Sequence, residues 1–437
     1  MSGERPLVAA VVPVFNRLEM TRRFVDSFRS LTYPRKILVI CDDGSTDGTG
    51  EFLGQQPDVI TVRGDGSLWW SGGTNAAIRE ALKHQGDYVL TINDDAIFDA
   101  DYLELLVSDA ESCPGSVMAS GVIQLQAPEL VWALGATYFN WENVLYINDC
   151  YGAPIAHVRA LMRSTILIDT CPGNGVLYPA AVFDKAGFFD EKWTPQYHGD
   201  TLLVHRAARS GFVPRLSLNA MVRNDMGFRT APKPCDPLIS VKSPNYAPAF
   251  YKSVEEREGK DQALESLERI AAVLPGDFSP STKVSRRLLP GIRPPIEFVF
   301  APHLARVLSG GAFVLLGYDA TRGVSVTWTN RGTHLDYQIQ GQGVLTLVLR
   351  VRLKCKMHLF VVTAEPPEHL DVIMECQSRG QERLGDEWVT WFQVELEPAD
   401  FVRIPLAVIC HGVSWSGVYL ALHENVAERY CPAVPQT

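Results

Sequence analysis

Two pairs of adjacent aspartates, each at the end of an apolar run, are the residues of this chain best placed to do chemistry. The first closes residues 36–43 (KILVICDD) and opens Asp42-Asp43-Gly44-Ser45-Thr46-Asp47-Gly48. A carboxylate at the carboxyl end of a buried strand can accept hydrogen bonds from a nucleobase N–H or a ribose hydroxyl. The plainer alternative is a strand–turn–helix in which Gly44 turns the chain and Ser45 or Thr46 caps the helix. The second pair closes residues 88–95 (YVLTINDD). Asp94 and Asp95 repel each other in a sheltered cleft, and a divalent cation relieves that repulsion. Mg²⁺ or Mn²⁺ suits carboxylate oxygens and, held by one or two of them, can grip a diphosphate. A helix cap before residues 100–110 is again the plain alternative.

A third stretch, 64–75 (GDGSLWWSGGTN), leads into a helical pattern. Its four glycines let backbone approach a ligand, and a helix N-terminus favours anions. Asp65, Gly73 and Asn75 are therefore candidates beside a bound nucleotide. Of the adjacent Trp69 and Trp70, one can line a sugar or base pocket while the other anchors the loop inside.

These side chains need a frame. Residues 7–15 (LVAAVVPVF), 36–43, 58–62 and 88–95 read as near-continuous apolar strands, and residues 18–31 and 72–84 as helices between them. Such alternation predicts a mostly parallel sheet covered on both faces, which binds ligands at the carboxyl ends of its strands. Pro232, Pro234, Pro237 and Pro244 then break the pattern, and residues 253–274 read as a charged helix. From about residue 296 the chain reads as short alternating strands, among them 324–329, 345–353, 387–396 and 417–423, which predicts a β-sandwich or jelly roll. Trp328, Trp388, Trp391 and Trp415 fall here, as core residues more readily than as a sugar-stacking face.

The 437 residues suit two domains, and 46% hydrophobic with 21% charged residues is a globular profile. A net charge of −10 argues against a nucleic-acid partner, and an acidic protein that handles an anionic nucleotide needs a bridging cation. Nine scattered cysteines suggest reduced thiols, and neither a leader pattern nor an apolar spanning stretch is seen. The expected location is the cytoplasm, with room for peripheral contact at the inner face of the plasma membrane.

VVPVFNR (11–17), DDGSTDGT (42–49), GDGSLWWSGGTNAAI (64–78) and LTINDD (90–95), in this order and spacing, resemble family 2 glycosyltransferases of the GT-A fold. The resemblance covers residues 6–230, and the GDGSLWW segment is similar to a rhamnosyltransferase-like branch. It implies inverting sugar transfer from a nucleoside-diphosphate donor to a glycan or lipid-linked acceptor of surface polysaccharide synthesis, with Mn²⁺ or Mg²⁺. By this resemblance Pro13 meets the nucleobase and Asp43, beside Asp42, binds base and ribose. Asp94-Asp95 is the DXD-type site, with Asp95 on the metal. Residues 171–179 (CPGNGVLYP), with Asn174 and Gly175, form the acceptor-side loop. Residues 196–212 resemble the catalytic-base helix, with Asp200 as base. His198, two residues before it, can contact the acceptor or donor phosphates or be a plain loop histidine, and Asp190 and Glu191 are runner-up bases or a solvated turn. Many members carry a Glu-Asp pair where this chain has Gly199-Asp200.

The expected organisation is a GT-A α/β domain over 1–232, a helical, Pro-rich linker over 233–292 and a β-sandwich over 293–437. Homo-oligomerisation is left open. Two competing expectations are a nucleotidyltransferase, for which VVPVFNR lacks the Gly-rich basic loop, and a glycan-binding scaffold with a degenerate site.

Overall fold

The computed structural model describes residues 5–140, 145–148, 150, 155–161, 164–224, 241, 246–265, 283–284, 298–300, 306–309, 312–330, 335–363, 369–372, 378–384, 387–410 and 415–421. The chain divides into two compact units, Met1–Val144 with Ser164–Ala271, and Leu145–Arg163 with Ala272–Thr437.

In the first unit the strands of the main sheet are β1 (Val8–Val14), β2 (Lys36–Asp42), β3 (Val59–Arg63), β4 (Tyr88–Thr91), β5 (Ser116–Gln124), β6 (Val131–Ala133), β7 (Thr165–Leu167), β8 (Val176–Pro179) and β9 (Val213–Asn224). The helices are α1 (Leu18–Arg29), α2 (Thr49–Leu53), α3 (Trp69–Lys83), α4 (Tyr102–Ser112), α5 (Ala181–Lys185), α6 (Gly199–Arg209) and α7 (Ala247–Glu258). One sheet runs in the order β3-β2-β1-β4-β8-β5-β9-β7, with β6 on β5. β3, β2, β1 and β4 pair in parallel, as do β5 and β9; β8 runs antiparallel between β4 and β5. Residues 8–12 of β1 are fully buried, as a strand covered on both faces must be. Phe24, Val25 and Phe28 of α1 pack into the same core as Ile40, Leu90 and Tyr102.

This is the mostly parallel α/β class expected from the sequence. Three local differences matter. Helix α3 starts at Trp69, so both tryptophans belong to its first turn rather than to the loop. Strand β4 ends at Thr91, and Asp94-Asp95 sit in the turn beyond it. The helical pattern of 253–274 has its described part in α7 and the helical residues 260–265; the rest lies outside the described residues.

The order reverses between β1 and β4. Chain leaving β1 leads to β2 on one side, while β4 lies on the other. A crevice opens at such a reversal beyond the carboxyl ends of the strands. The segments leaving these two strands are 15–17 and 92–95, so the second acid pair stands at that crevice.

The second unit has a seven-stranded and a five-stranded sheet among its described residues. Leu345, Leu347 and Leu349 of one and Leu359, Val361, Phe392 and Val394 of the other share a single core, which makes it a sandwich. Trp388 and Trp391 are half-buried, and a Cβ on Gly380 would sit 2.5 Å from the Trp391 indole. The side chains of Trp328 and Trp415 lie outside the described residues. Among the described residues, no helix is long and apolar enough to cross a membrane.

Candidate active site

Asp42 is fully buried, and its Oδ1 accepts the Ser45 N–H at 2.9 Å. Its Oδ2 lies 3.9 Å from Arg63 Nη1 with no hydrogen bond. Asp43 does something the sequence did not suggest. Its Oδ1 accepts the Gly66 N–H at 2.8 Å, and its Oδ2 accepts those of Leu68 at 2.9 Å and Trp69 at 3.2 Å. The first amides of α3 were expected to receive a ligand's negative charge; the anion the structure places there is Asp43 itself. Neither Ser45 nor Thr46 caps α2. Its N-cap is Gly48, and Asp47 just before it accepts the Thr49 N–H at 3.1 Å and also the Leu18 N–H that opens α1. The Ser45 hydroxyl accepts the Asn16 N–H instead.

The three glycine-loop candidates are engaged as follows. Asp65 is exposed, and the Ser67 hydroxyl and amide hold its carboxyl below the ordinary range. Gly73 is where α3 crosses β1: a Cβ there would stand 3.0 Å from that of Pro13. Asn75 is fully buried; its Oδ1 accepts the Phe189 N–H, and its Nδ2 donates to Phe189 O and to Glu191 Oε1. That amide ties α3 to the chain before α6, which leaves it no surface for a nucleotide. Glu191 also pairs with Arg79 at 3.0 Å.

At the β1/β4 crevice the acid pair faces a cation. The guanidinium of Arg17 places Nη1 3.1 Å from Asp94 Oδ1 and Nη2 3.1 Å from Asp95 Oδ2. Asp94 is buried, and burial pushes its carboxyl up to about 7 against the pull of Arg17. Its Oδ2 meets the Thr21 hydroxyl at 3.5 Å. Asp95 keeps some exposure, yet its Oδ1 is buried without a hydrogen-bond partner. A divalent cation fits this turn. An orphaned carboxylate oxygen is available, and among the described residues no group of three His, Cys, Asp or Glu gathers to complete a protein cage. Phosphate and water oxygens would supply the remaining ligands.

Asp200 lies in the first turn of α6, after His198, which adopts φ 65° at the N-cap. Its Oδ2 accepts the Gly173 N–H and its Oδ1 the Thr201 N–H, each at 2.8 Å. Burial raises its carboxyl above the ordinary aspartate value although both amides lower it. The departure at Gly199 has a steric reason: a Cβ there would stand 2.7 Å from the Ser71 hydroxyl of α3, so no glutamate fits beside Asp200 without a shift. His198 is buried, its ring 5.0 Å from that of Phe250 on α7.

Trp70 joins the two acidic elements. Its indole N–H donates to Asn93 Oδ1 at 2.9 Å, one residue before the acid pair. A Cβ on Gly173 would lie 2.7 Å from the indole and 3.0 Å from the Asp200 Cβ. The Asn174 Oδ1 accepts the Asn93 N–H at 3.0 Å, and Gly175, at φ 84°, donates its N–H to Thr91 O. Asn174 and Gly175 thus hold the 173–175 loop against the end of β4. Trp69, at φ 57°, is exposed, as are Phe15 and Tyr197. Arg17 ends VVPVFNR, and nothing in the sequence pairs residue 17 with residues 94 and 95. Trp70 was expected as a loop anchor or pocket wall, and its bond to Asn93 had no sequence signal.

Residues 9–157 match the model of glycosyl transferase family 2. The match includes Asp43, Asp94 and Asp95 and stops short of Asp200. An uncharacterized glycosyltransferase of Rickettsia felis is 26% identical over 192 residues, 43% of this chain and 29% of that protein. Glycosyltransferase GlyA of Streptococcus pneumoniae is 25% identical over 41% of this chain and 25% of its own length. The chain thus spans less than a third of either relative. Among solved structures, GalNAc-T7 with UDP, GalNAc and Mn²⁺ superposes with a TM-score of 0.48 at 15% identity, over 62% of this chain and 53% of that one. The strand order and the family match together make the first unit GT-A-like.

Proposed function

We propose that the chain is an inverting glycosyltransferase that moves a hexosyl or deoxyhexosyl group from a nucleoside-diphosphate sugar to a glycan or lipid-linked acceptor. The observation that carries this reading is the link through Trp70: the turn of an acid pair with an orphaned oxygen and a half-buried aspartate of raised basicity both flank its indole.

Asp200 acts as general base. Two amides fix its carboxylate, and its raised basicity lets it take the proton of an acceptor hydroxyl. The hydroxyl oxygen bonds to the anomeric carbon from the face opposite the diphosphate. The bond from that carbon to the diphosphate oxygen breaks, and the diphosphate leaves with the electron pair. One such displacement inverts the configuration. Asp94 and Asp95 would hold Mn²⁺ or Mg²⁺, which supplies Lewis-acid charge to the leaving diphosphate. Arg17 adds a positive charge on the same side. Pro13 and Asp43, at the carboxyl ends of β1 and β2, border the space for base and ribose. The family match supports sugar transfer, and GDGSLWW supports a rhamnosyl-type donor among the sugars to try first.

The test is release of nucleoside diphosphate from UDP-, GDP- and dTDP-sugars by the full chain with Mn²⁺. Turnover that Asp95→Ala and Asp200→Asn abolish supports the reading, provided Asp200→Asn still binds nucleotide. Absence of turnover with every donor, or full turnover in both variants, overturns it.

A further inference from the structure

Arg17 splits its fork. One amino group goes to Asp94 and the other to Asp95, rather than both to one carboxylate. The geometry gives up a bidentate pair, the stronger arrangement for a guanidinium. It leaves Asp95 Oδ1 buried and unpaired. The guanidinium also rests on Met20, with Nη2 2.8 Å and Nε 3.2 Å from its sulfur, and about a third of its side chain stays exposed. Soft contacts on one face and solvent on the other leave it free to turn while Asp94 stays buried.

We propose that Arg17 is the resident counter-cation of the acid pair, and that it makes divalent-metal binding depend on the diphosphate. This rests on the proposed nucleotide-sugar reading. The charge count gives the reason. In the deprotonated form that a metal requires, the two carboxylates carry −2, and Arg17 brings the turn to −1. A divalent cation added to that turn leaves +1, an excess that invites an anion. Metal alone is therefore disfavoured by the guanidinium beside it, whereas metal with a diphosphate is favoured, because the same guanidinium then faces phosphate oxygens. Removing the charge at residue 17 should move the two affinities in opposite directions. A residue that merely braces the fold would weaken both.

The experiment titrates Mn²⁺ into the full chain, followed by electron paramagnetic resonance, without nucleotide and with UDP, GDP or dTDP. A unit charge a few ångströms away is worth several-fold to over a hundredfold at protein-surface dielectric, so the effect is measurable. Arg17→Gln should bind Mn²⁺ alone about tenfold more tightly than the parent, and should bind the preferred diphosphate with Mn²⁺ about tenfold more weakly. Arg17→Lys, which keeps a charge but loses the fork, should shift both in the same senses by smaller factors. It carries the test should Arg17→Gln fail to fold by circular dichroism. Two affinities that fall together, or that stay at parental values while the diphosphate still promotes Mn²⁺ binding, overturn the role of Arg17 and leave the glycosyltransferase reading standing. If no diphosphate promotes Mn²⁺ binding in the parent, the metal-dependent reading fails, and this inference fails with it.

Discussion

The two strand-end acid pairs look alike in the sequence and are built for different work. Asp42-Asp43 is bonded to backbone: the amides of Ser45, Gly66, Leu68 and Trp69 all donate to it. Asp94-Asp95 is bonded chiefly to a side chain, the partly exposed guanidinium of Arg17, and one oxygen of Asp95 has no hydrogen-bond partner. Backbone amides cannot leave without unfolding the loop that carries them. A guanidinium can turn away and be replaced. The first pair is therefore a fixed brace for the glycine loop and α3, and the second is the one we propose to be exchangeable.

Substitutions separate the two. The largest effect is expected at the exchangeable end of the crevice. Asp95→Ala and Asp200→Asn should each lower turnover by about a hundredfold or more, the first with little change in melting temperature and the second with the added loss of one amide's acceptor, about 1–3 kcal/mol. Steady-state rates beside a melting curve check this, and a variant that loses both together would put residue 95 with the braces. Next comes Asp43→Ala. It strips three amides of their acceptor at the start of a helix, and buried unmet donors cost about 1–3 kcal/mol each. Part of that returns as water enters, so we expect a loss of about 2–4 kcal/mol in urea unfolding whether or not metal is present. A fully stable Asp43→Ala protein would erase the contrast.

Asp94 gives a smaller effect of opposite sign. Its folded value of about 7 exceeds the ordinary 3.8 because the carboxyl is buried. Between these values the folded chain keeps a proton that the unfolded chain has lost, so stability falls as pH rises through that window. Above pH 7 the full cost is present, on the order of 4 kcal/mol. With chelator, Asp94→Asn should melt above the parent at pH 8, and the gain should vanish toward pH 4. An equal gain at both pH values would mean that the buried charge is not its cause. The smallest expected change is that of chelation itself. EDTA should weaken nucleoside-diphosphate binding by about tenfold, since two carboxylates would then face phosphate with only Arg17 between them. Undiminished binding would remove the cation from the second pair.

Periodicity carried the architecture. The apolar runs at 7–15, 36–43 and 88–95 read as buried strands, and the alternating runs after residue 320 as strands of a sandwich or jelly roll. The acid pairs were legible as well, because charge at the end of an apolar run is a local pattern. Their partners were not. Arg17 and Asp94 are 77 positions apart by number, and Asn75 meets Phe189 with |i−j| of 114. Asn75 read as a ligand contact because it opens a helix after glycines; the fold buried it instead against a loop no local rule connects to it. Gly199 read as a gap in a motif, and it is an accommodation of Ser71.

What the sequence determined by itself is the set of strands and helices and the location of carboxylates at their ends, since period and charge are properties of neighbouring residues. Which of those carboxylates are braced by amides and which face an exchangeable cation was decided only by tertiary structure. The reason is that a carboxylate's role depends on what occupies its lone pairs, and here those partners come from segments brought together by the order of strands in the sheet.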